Sequence, residues 1–170
     1  LGAWDAASGG MIGSVAVDVS GNVYVAEPLR KAVKKFSPDG VLLADWDNEN
    51  AGVADFQPWS ITVDRLGRLF VSSYPSHGIY TFTPEGRLLN VWVSSGAGPG
   101  YFYSPWAVAV SGSGRVYVSD ILNRRIQEFG MDGRFVRAWG GPGDGNGQFG
   151  TGAYDYDGPR SLAVGQDGHV

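Results

Sequence analysis

The chain has 170 residues, 43% of them apolar, with 27 glycines, 9 prolines and a net charge of −4. No apolar run reaches the ~18 residues of a membrane-crossing helix, and the acidic balance argues against a broad nucleic-acid surface, which is normally basic. The absence of cysteine excludes disulfides and thiolate metal sites and leaves the compartment open, an extracellular or periplasmic one being slightly favoured.

In chain order, Leu1–Trp4 reads as the closing strand of a repeated unit whose full copies follow at 12–46, 58–92 and 105–139. The third copy shows the plan best. Its apolar segments Ala107–Val110, Val116–Val118, Ile126–Phe129 and Phe135–Trp139 are separated by glycine, aspartate, asparagine and serine. Short β-branched and aromatic runs bounded by such residues predict strands joined by turns. Gly21, Gly67 and Gly114 lie 46 and 47 residues apart, and so do Phe36, Phe82 and Phe129; Gly40, Gly86 and Gly133; and Trp46, Trp92 and Trp139. A period in the forties with four strands per unit predicts an all-β fold of four-stranded antiparallel β-propeller blades. Pro159–Val164 and Gly168–Val170 begin a further unit, so the expectation is one domain over 1–170 with partial blades at 1–4 and 159–170. The two end pieces lack a third strand between them, which predicts an incomplete ring whose further blades come from a longer chain or other subunits.

The strands read apolar on both sides, as in Leu69-Phe-Val71 and Val116-Tyr-Val118, which predicts sheets covered on both faces by neighbouring blades. The recurrent tryptophans are then expected between blades. An antiparallel meander puts the short turns after the first and third strands on one face of the molecule. The loops after the second strands (Glu27–Ala32, Ser73–Gly78, Asp120–Arg125) and the connections Asp47–Gln57, Val93–Ser104 and Gly140–Gly158 fall on the other. The turns are uniform, whereas the loops and connections vary, and variable loops on a rigid scaffold are where binding is usually carried.

The third unit, with Pro105-x-x-Val108-Ala-Val, Gly114-x-Val-Tyr-Val-x-Asp120, Asn123-x-Arg125-Ile126-Gln-x-Phe129 and Gly133-x-Phe135, resembles an NHL repeat, and the resemblance extends over nearly the whole chain. It implies a propeller that commonly has six blades, and an Asp120–Arg125 pair that holds its loop. The first unit departs from the pattern with Glu27, Arg30 and Ala32, and the second with Ser73, Ser76 and Gly78, so their loops must be held otherwise. The family spans enzymes, RNA binders and interaction modules, so the resemblance alone does not choose a function.

The variable face supplies the candidate partner-binding residues: Arg30, Lys31, Tyr74, His77, Tyr101, Tyr103, Arg124, Arg125, Asp144, Asp155 and Asp157. Asp144, Asn146, Asp155 and Asp157 could offer oxygens to calcium, but without the glutamate-terminated spacing of an EF-hand they read as solvated acids, and no metal is assigned. Gly145-Asn-Gly147-Gln-Phe-Gly150 matches G-x-G-x-x-G, yet no helix pattern follows to receive a phosphate, so it reads as loop glycine and no cofactor is assigned. The chain contains two histidines, His77 and His169, and no G-x-S-x-G elbow, so no catalytic residue is named. These residues favour a binding or scaffolding module for a protein or another extended ligand. The alternatives are part of a six-bladed hydrolase or lyase with its catalytic residues in other blades and, more weakly, an RNA-binding domain, which the acids on the same face oppose.

Overall fold

The computed structural model describes residues 10–47, 49, 52–151, 157–165, 167 and 169–170, and the predicted partial blade at 1–4 lies outside them. Among the described residues, twelve strands fall into three antiparallel sheets. The first contains β1 (Ser14–Val17), β2 (Val23–Glu27), β3 (Ala32–Phe36) and β4 (Leu42–Asp47). The second contains β5 (Pro58–Val63), β6 (Leu69–Ser73), β7 (Gly78–Phe82) and β8 (Leu88–Val93), and the third β9 (Pro105–Val110), β10 (Arg115–Asp120), β11 (Arg125–Gly130) and β12 (Phe135–Gly140). Every strand pairs with its sequence neighbour, which makes each sheet a meander. Among the described residues, the single helical element is the 3-10 turn Pro28–Arg30.

The turns are held by side chains that mimic backbone acceptors. Asp18 takes the amides of Ser20 and Asn22, both at 2.9 Å, and Asp64 takes those of Leu66 and Arg68 at 2.9 and 2.8 Å. Ser111 does the same for the Arg115 amide at 3.0 Å. The uniform turns are thus locally self-sufficient.

Stability comes from the two interfaces between sheets. Tyr24, Ala26, Val33 and Trp46 of the first pack on Ile61, Leu69, Val71, Tyr80 and Phe82 of the second and on Phe56 of the connection between them. Phe70, Ile79 and Trp92 on the other side of the second sheet meet Phe102, Val108, Val116, Val118 and Phe129. The central strands β6 and β7 are buried along their whole length, which accounts for their unbroken apolar runs. Each fully buried large side chain contributes about 1.5–3 kcal/mol by leaving water.

The shared period of tryptophan and glycine comes from direct contact. A Cβ on Gly86 would lie 2.7 Å from the Trp46 ring, and one on Gly133 would lie 2.5 Å from the Trp92 indole nitrogen. Both glycines also have φ in the left-handed region, +87° and +84°. The tryptophan that closes one blade therefore seats on a turn of the next.

The innermost strands β1, β5 and β9 border one cavity of about 530 Å³ together with Arg160–Val164. Serine hydroxyls knit this inner ring. Ser60 accepts the Val108 amide at 3.2 Å, Ser119 accepts that of Ala107 at 2.8 Å, and Ser72 donates to the Trp106 carbonyl at 2.6 Å. Residues 160–164 border the cavity beside the inner strands and pair with no strand among the described residues. The Gly165 amide bonds the His169 carbonyl at 2.8 Å, as the Asp18, Asp64 and Ser111 amides bond the Asn22, Arg68 and Arg115 carbonyls in the first turns of the three blades.

Candidate ligand-binding face

The three loops after the second strands share one backbone form. Lys31 donates its amide to the Pro28 carbonyl, His77 to Tyr74 and Arg124 to Ile121, at 3.2, 3.4 and 3.1 Å. The three donors have φ of 54°, 51° and 52°, a left-handed conformation that costs a side-chain-bearing residue ~1–2 kcal/mol. Lys31, His77 and Arg124 keep the 46- and 47-residue period, so this face repeats a nitrogen-bearing side chain at one loop position.

What holds each loop differs. In blade three, Asp120 is fully buried and accepts from the Tyr103 amide (2.7 Å), Asn123 (2.8 Å), Arg125 (2.8 Å) and Gln127 (3.1 Å). Burial pushes its carboxyl up from the usual aspartate value, and the bonds from Asn123, the Tyr103 amide and Arg125 oppose that rise. Arg125 turns its remaining donors to the carbonyls of Ala97 and Gly98 at 2.8 Å and of Tyr101 at 2.7 Å. Arg125 was expected to meet a partner; every one of its nitrogens is bonded inside the protein, so its work is to fasten the connection between blades two and three.

Blade one substitutes Glu27, also buried, which ion-pairs with Lys34 at 3.3 Å and with Arg30 at 3.5 Å. Arg30, about half exposed, serves that pair. Blade two uses neutral groups: the Ser73 hydroxyl accepts the Gln57 amide at 3.0 Å, and Nδ1 of His77 accepts the Ser104 amide at 3.0 Å. His77 also lies against the Tyr103 ring, centroids 5.3 Å apart.

The outcome of this bracing is a pair of presented tyrosines. Tyr101 is 49% and Tyr103 47% exposed. The Tyr101 carbonyl is gripped by Arg125 and by Gln127 at 2.8 Å, and its ring lies along Gly96 and Gly98, where added Cβ atoms would each come within 3.3 Å. The Tyr103 amide ends on Asp120. Half of each side chain is thus fixed to the protein and half is open to solvent.

Other expected residues are spread around this platform. Lys31 borders a cavity of about 570 Å³ with Asp55, Gln57, Ser76 and Tyr80. Burial raises the pKa of the Tyr80 hydroxyl; Asp55 adds to the rise and the Ser76 hydroxyl opposes it. Arg124 is half-buried, Asp144 is exposed, and Asp157 accepts the Thr151 amide at 3.1 Å. Asp155 lies outside the described residues. Among the described residues, no three histidine or carboxylate side chains gather closely enough to hold a metal ion. The G-x-G-x-x-G stretch is closed on itself, the Gln148 side chain accepting the Gly145 amide at 2.9 Å.

The sequence reading missed Trp59 and Trp106. Their rings lie 4.6 Å apart at the inner end of this face, and Tyr74 meets them edge-on at 6.2 and 5.9 Å. The signal was the Pro-Trp pair opening β5 and β9, which blade one does not share.

Neither a protein-family model nor a curated protein matches the sequence. Solved structures do match the fold. A hydrazine synthase from Kuenenia stuttgartiensis aligns over 98% of this chain and 44% of its own, at 14% identity and a TM-score of 0.68. The WD40 repeats of RRP9 align over 78% and 39%, at 12% identity and 0.64, and a catalytically inactive virginiamycin B lyase from Staphylococcus aureus with quinupristin over 77% and 42%, at 14% and 0.63. The chain is an arc of β-propeller blades. It spans about half the length of the structures it matches, and at these identities the likeness is one of fold.

Proposed function

We propose that this arc is an NHL-type propeller segment that binds a protein or another extended ligand on its loop face, with Tyr101 and Tyr103 as anchors. The observation that carries the reading is their presentation: two half-exposed aromatic rings on a connection fastened by Asp120, Arg125 and Gln127. Tyrosine offers large contact area at small entropic cost, and anchors held rigid before binding lose little on association. The Asp120–Arg125 contact in blade three supports the NHL type, since that resemblance implies the same pair. The alternative, a six-bladed hydrolase or lyase, would place its catalytic residues in further blades.

The test starts from peptides selected on the chain out of a random library, with their contacts mapped by amide shift perturbation. Shifts should centre on 95–104 and 120–125, and Tyr101→Ala and Tyr103→Ala should each weaken binding about tenfold, roughly 1.4 kcal/mol. Shifts centred on the turns at Gly40, Gly86 and Gly133, or affinities indifferent to both substitutions, would show that the wrong face was chosen.

A further inference from the structure

The place where blade three grips the connection before it is built differently in blade two. The ladders pair Ser73 with Gly78 and Val71 with Tyr80 in blade two, as they pair Asp120 with Arg125 and Val118 with Gln127 in blade three. Gly78 and Tyr80 therefore occupy the places of Arg125 and Gln127, and Ser76 occupies that of Asn123. In blade three those side chains reach the carbonyls of Gly96, Ala97, Gly98 and Tyr101. Glycine has no side chain to make such a reach, and serine is shorter than asparagine. Blade two instead has the cavity of about 570 Å³ bordered by Lys31, Asp55, Gln57, Ser76 and Tyr80. Small-molecule sites run from ~300 to 1,000 Å³, so this one is large enough to hold a ligand.

The charges around this cavity have both signs and are not spent on the fold. Lys31 and Asp55 are exposed, and neither ion-pairs with the other or with any other described residue. Asn48, Asn50 and Ala51, the residues of the connection outside those described, are uncharged. Both charged residues hold φ at +54°, so the backbone fixes the direction in which each side chain leaves it. Burial keeps the Tyr80 hydroxyl protonated and the Asp55 carboxylate adds to the effect, so the wall also offers a neutral donor. The Gln57 side chain brings an amide, which both donates and accepts. A simple anion drawn to Lys31 would meet the Asp55 carboxylate, and a simple cation drawn to Asp55 would meet Lys31. A molecule bearing both charges answers both.

From this geometry we infer a small-molecule site between blades one and two for a zwitterion of the α-amino-acid class. Its carboxylate meets Lys31, its ammonium group meets Asp55, and a polar side chain lies against Gln57 and Tyr80. The site goes beyond the tyrosine platform and does not depend on it, so the two can fail or succeed separately.

The experiment titrates the isotope-labelled chain with three probes: L-glutamine, N-acetyl-L-glutamine, which lacks the ammonium group, and L-glutaminamide, which lacks the carboxylate. L-glutamine should shift the amide signals of 54–57 and 76–80 saturably, and each analogue should bind roughly tenfold more weakly, as expected when a hydrogen bond to a charged group is lost. Asp55→Asn and Lys31→Met should each weaken L-glutamine by a similar factor. Each variant should also erase one preference: Asp55→Asn that for L-glutamine over its N-acetyl form, and Lys31→Met that for L-glutamine over its amide. Both positions are exposed, and asparagine tolerates the left-handed backbone at Asp55, so the variants keep the fold. The inference is overturned if L-glutamine causes no saturable shift at 54–57 and 76–80, if either analogue binds as tightly as L-glutamine, or if the variants weaken all three probes alike.

Discussion

Asp120 and Glu27 stand at the same position in blades three and one and are both buried, yet one carboxylate is saturated with hydrogen bonds and the other is not. The difference is one methylene and the placement of partners. Aspartate is short enough to stay among the amide and side-chain donors of its own loop. Glutamate reaches past them to Lys34 and Arg30 at 3.3 and 3.5 Å, an ion pair without directional bonds. A buried charge that organises many donors fixes a loop; one that meets two cations without directed bonds is neutralised but orders less around it. The presented tyrosines accordingly lie on the connection that runs into blade three, where Asp120 takes the Tyr103 amide.

The comparison can be broken most directly at Asp120. Asp120→Asn should cost about 3–5 kcal/mol in urea unfolding, because an amide cannot accept all the bonds that the carboxylate takes from the Tyr103 amide, Asn123, Arg125 and Gln127 and so leaves buried donors unpaired, and amide exchange over 96–103 should accelerate. A cost below about 1 kcal/mol would make the two blades' carboxylates equivalent. Blade two should lie in between: His77→Ala strands the Ser104 amide and is expected to cost about 1–3 kcal/mol by the same measurement. The smallest effect belongs to Arg30→Ala, about 0–1 kcal/mol, since this arginine is half exposed and its pair with Glu27 is long.

Acid should separate the loop face from the turn face by sign. Burial raises the Asp18 carboxyl, but bonds from Asn22, Ser20 and Tyr24 outweigh that and leave it below its ordinary 3.8. Its stabilising contribution is therefore complete above that value and lost as pH falls through the lower folded value. Asp120 is raised, so the folded state favours its neutral form, and its unfavourable contribution fades as pH falls through the raised value. In thermal melts at about pH 7, about 4.5 and about 2.5, the gap between wild type and Asp18→Asn should close only at the lowest pH. The gap for Asp120→Asn should widen on the way down from neutrality.

The fold was legible because its chemistry repeats. Phe36, Phe82 and Phe129 recur since each fills the same slot, and tryptophan recurs with glycine since one rests on the other. The site was legible only in part. Choosing the variable face singled out Tyr101 and Tyr103, and the resemblance implied the Asp120–Arg125 pair, but the residue types do not show that Arg125 also bonds the carbonyls of Ala97, Gly98 and Tyr101. Lys31, His77 and Arg124 obey the period, though what repeats there is a backbone angle carried by three different side chains. Trp59 and Trp106 escaped because a bulge is a change of register, visible only once two strands are paired. The fourth inner segment repeats the plan, its Pro159-Arg-Ser-Leu run leading to a Gly165–His169 bond that copies the first turn of the other blades.

The seating of Trp46 on Gly86 and of Trp92 on Gly133 also bears on how the chain is made. A tryptophan contributed by the last strand of one blade finds its floor only when the third turn of the next has been synthesised. Each blade therefore leaves the ribosome with one face unfinished and waits for its successor. Synthesis proceeds from the N-terminus at ~5–20 residues per second, so that wait lasts seconds, during which the exposed indole is a natural handle for a chaperone.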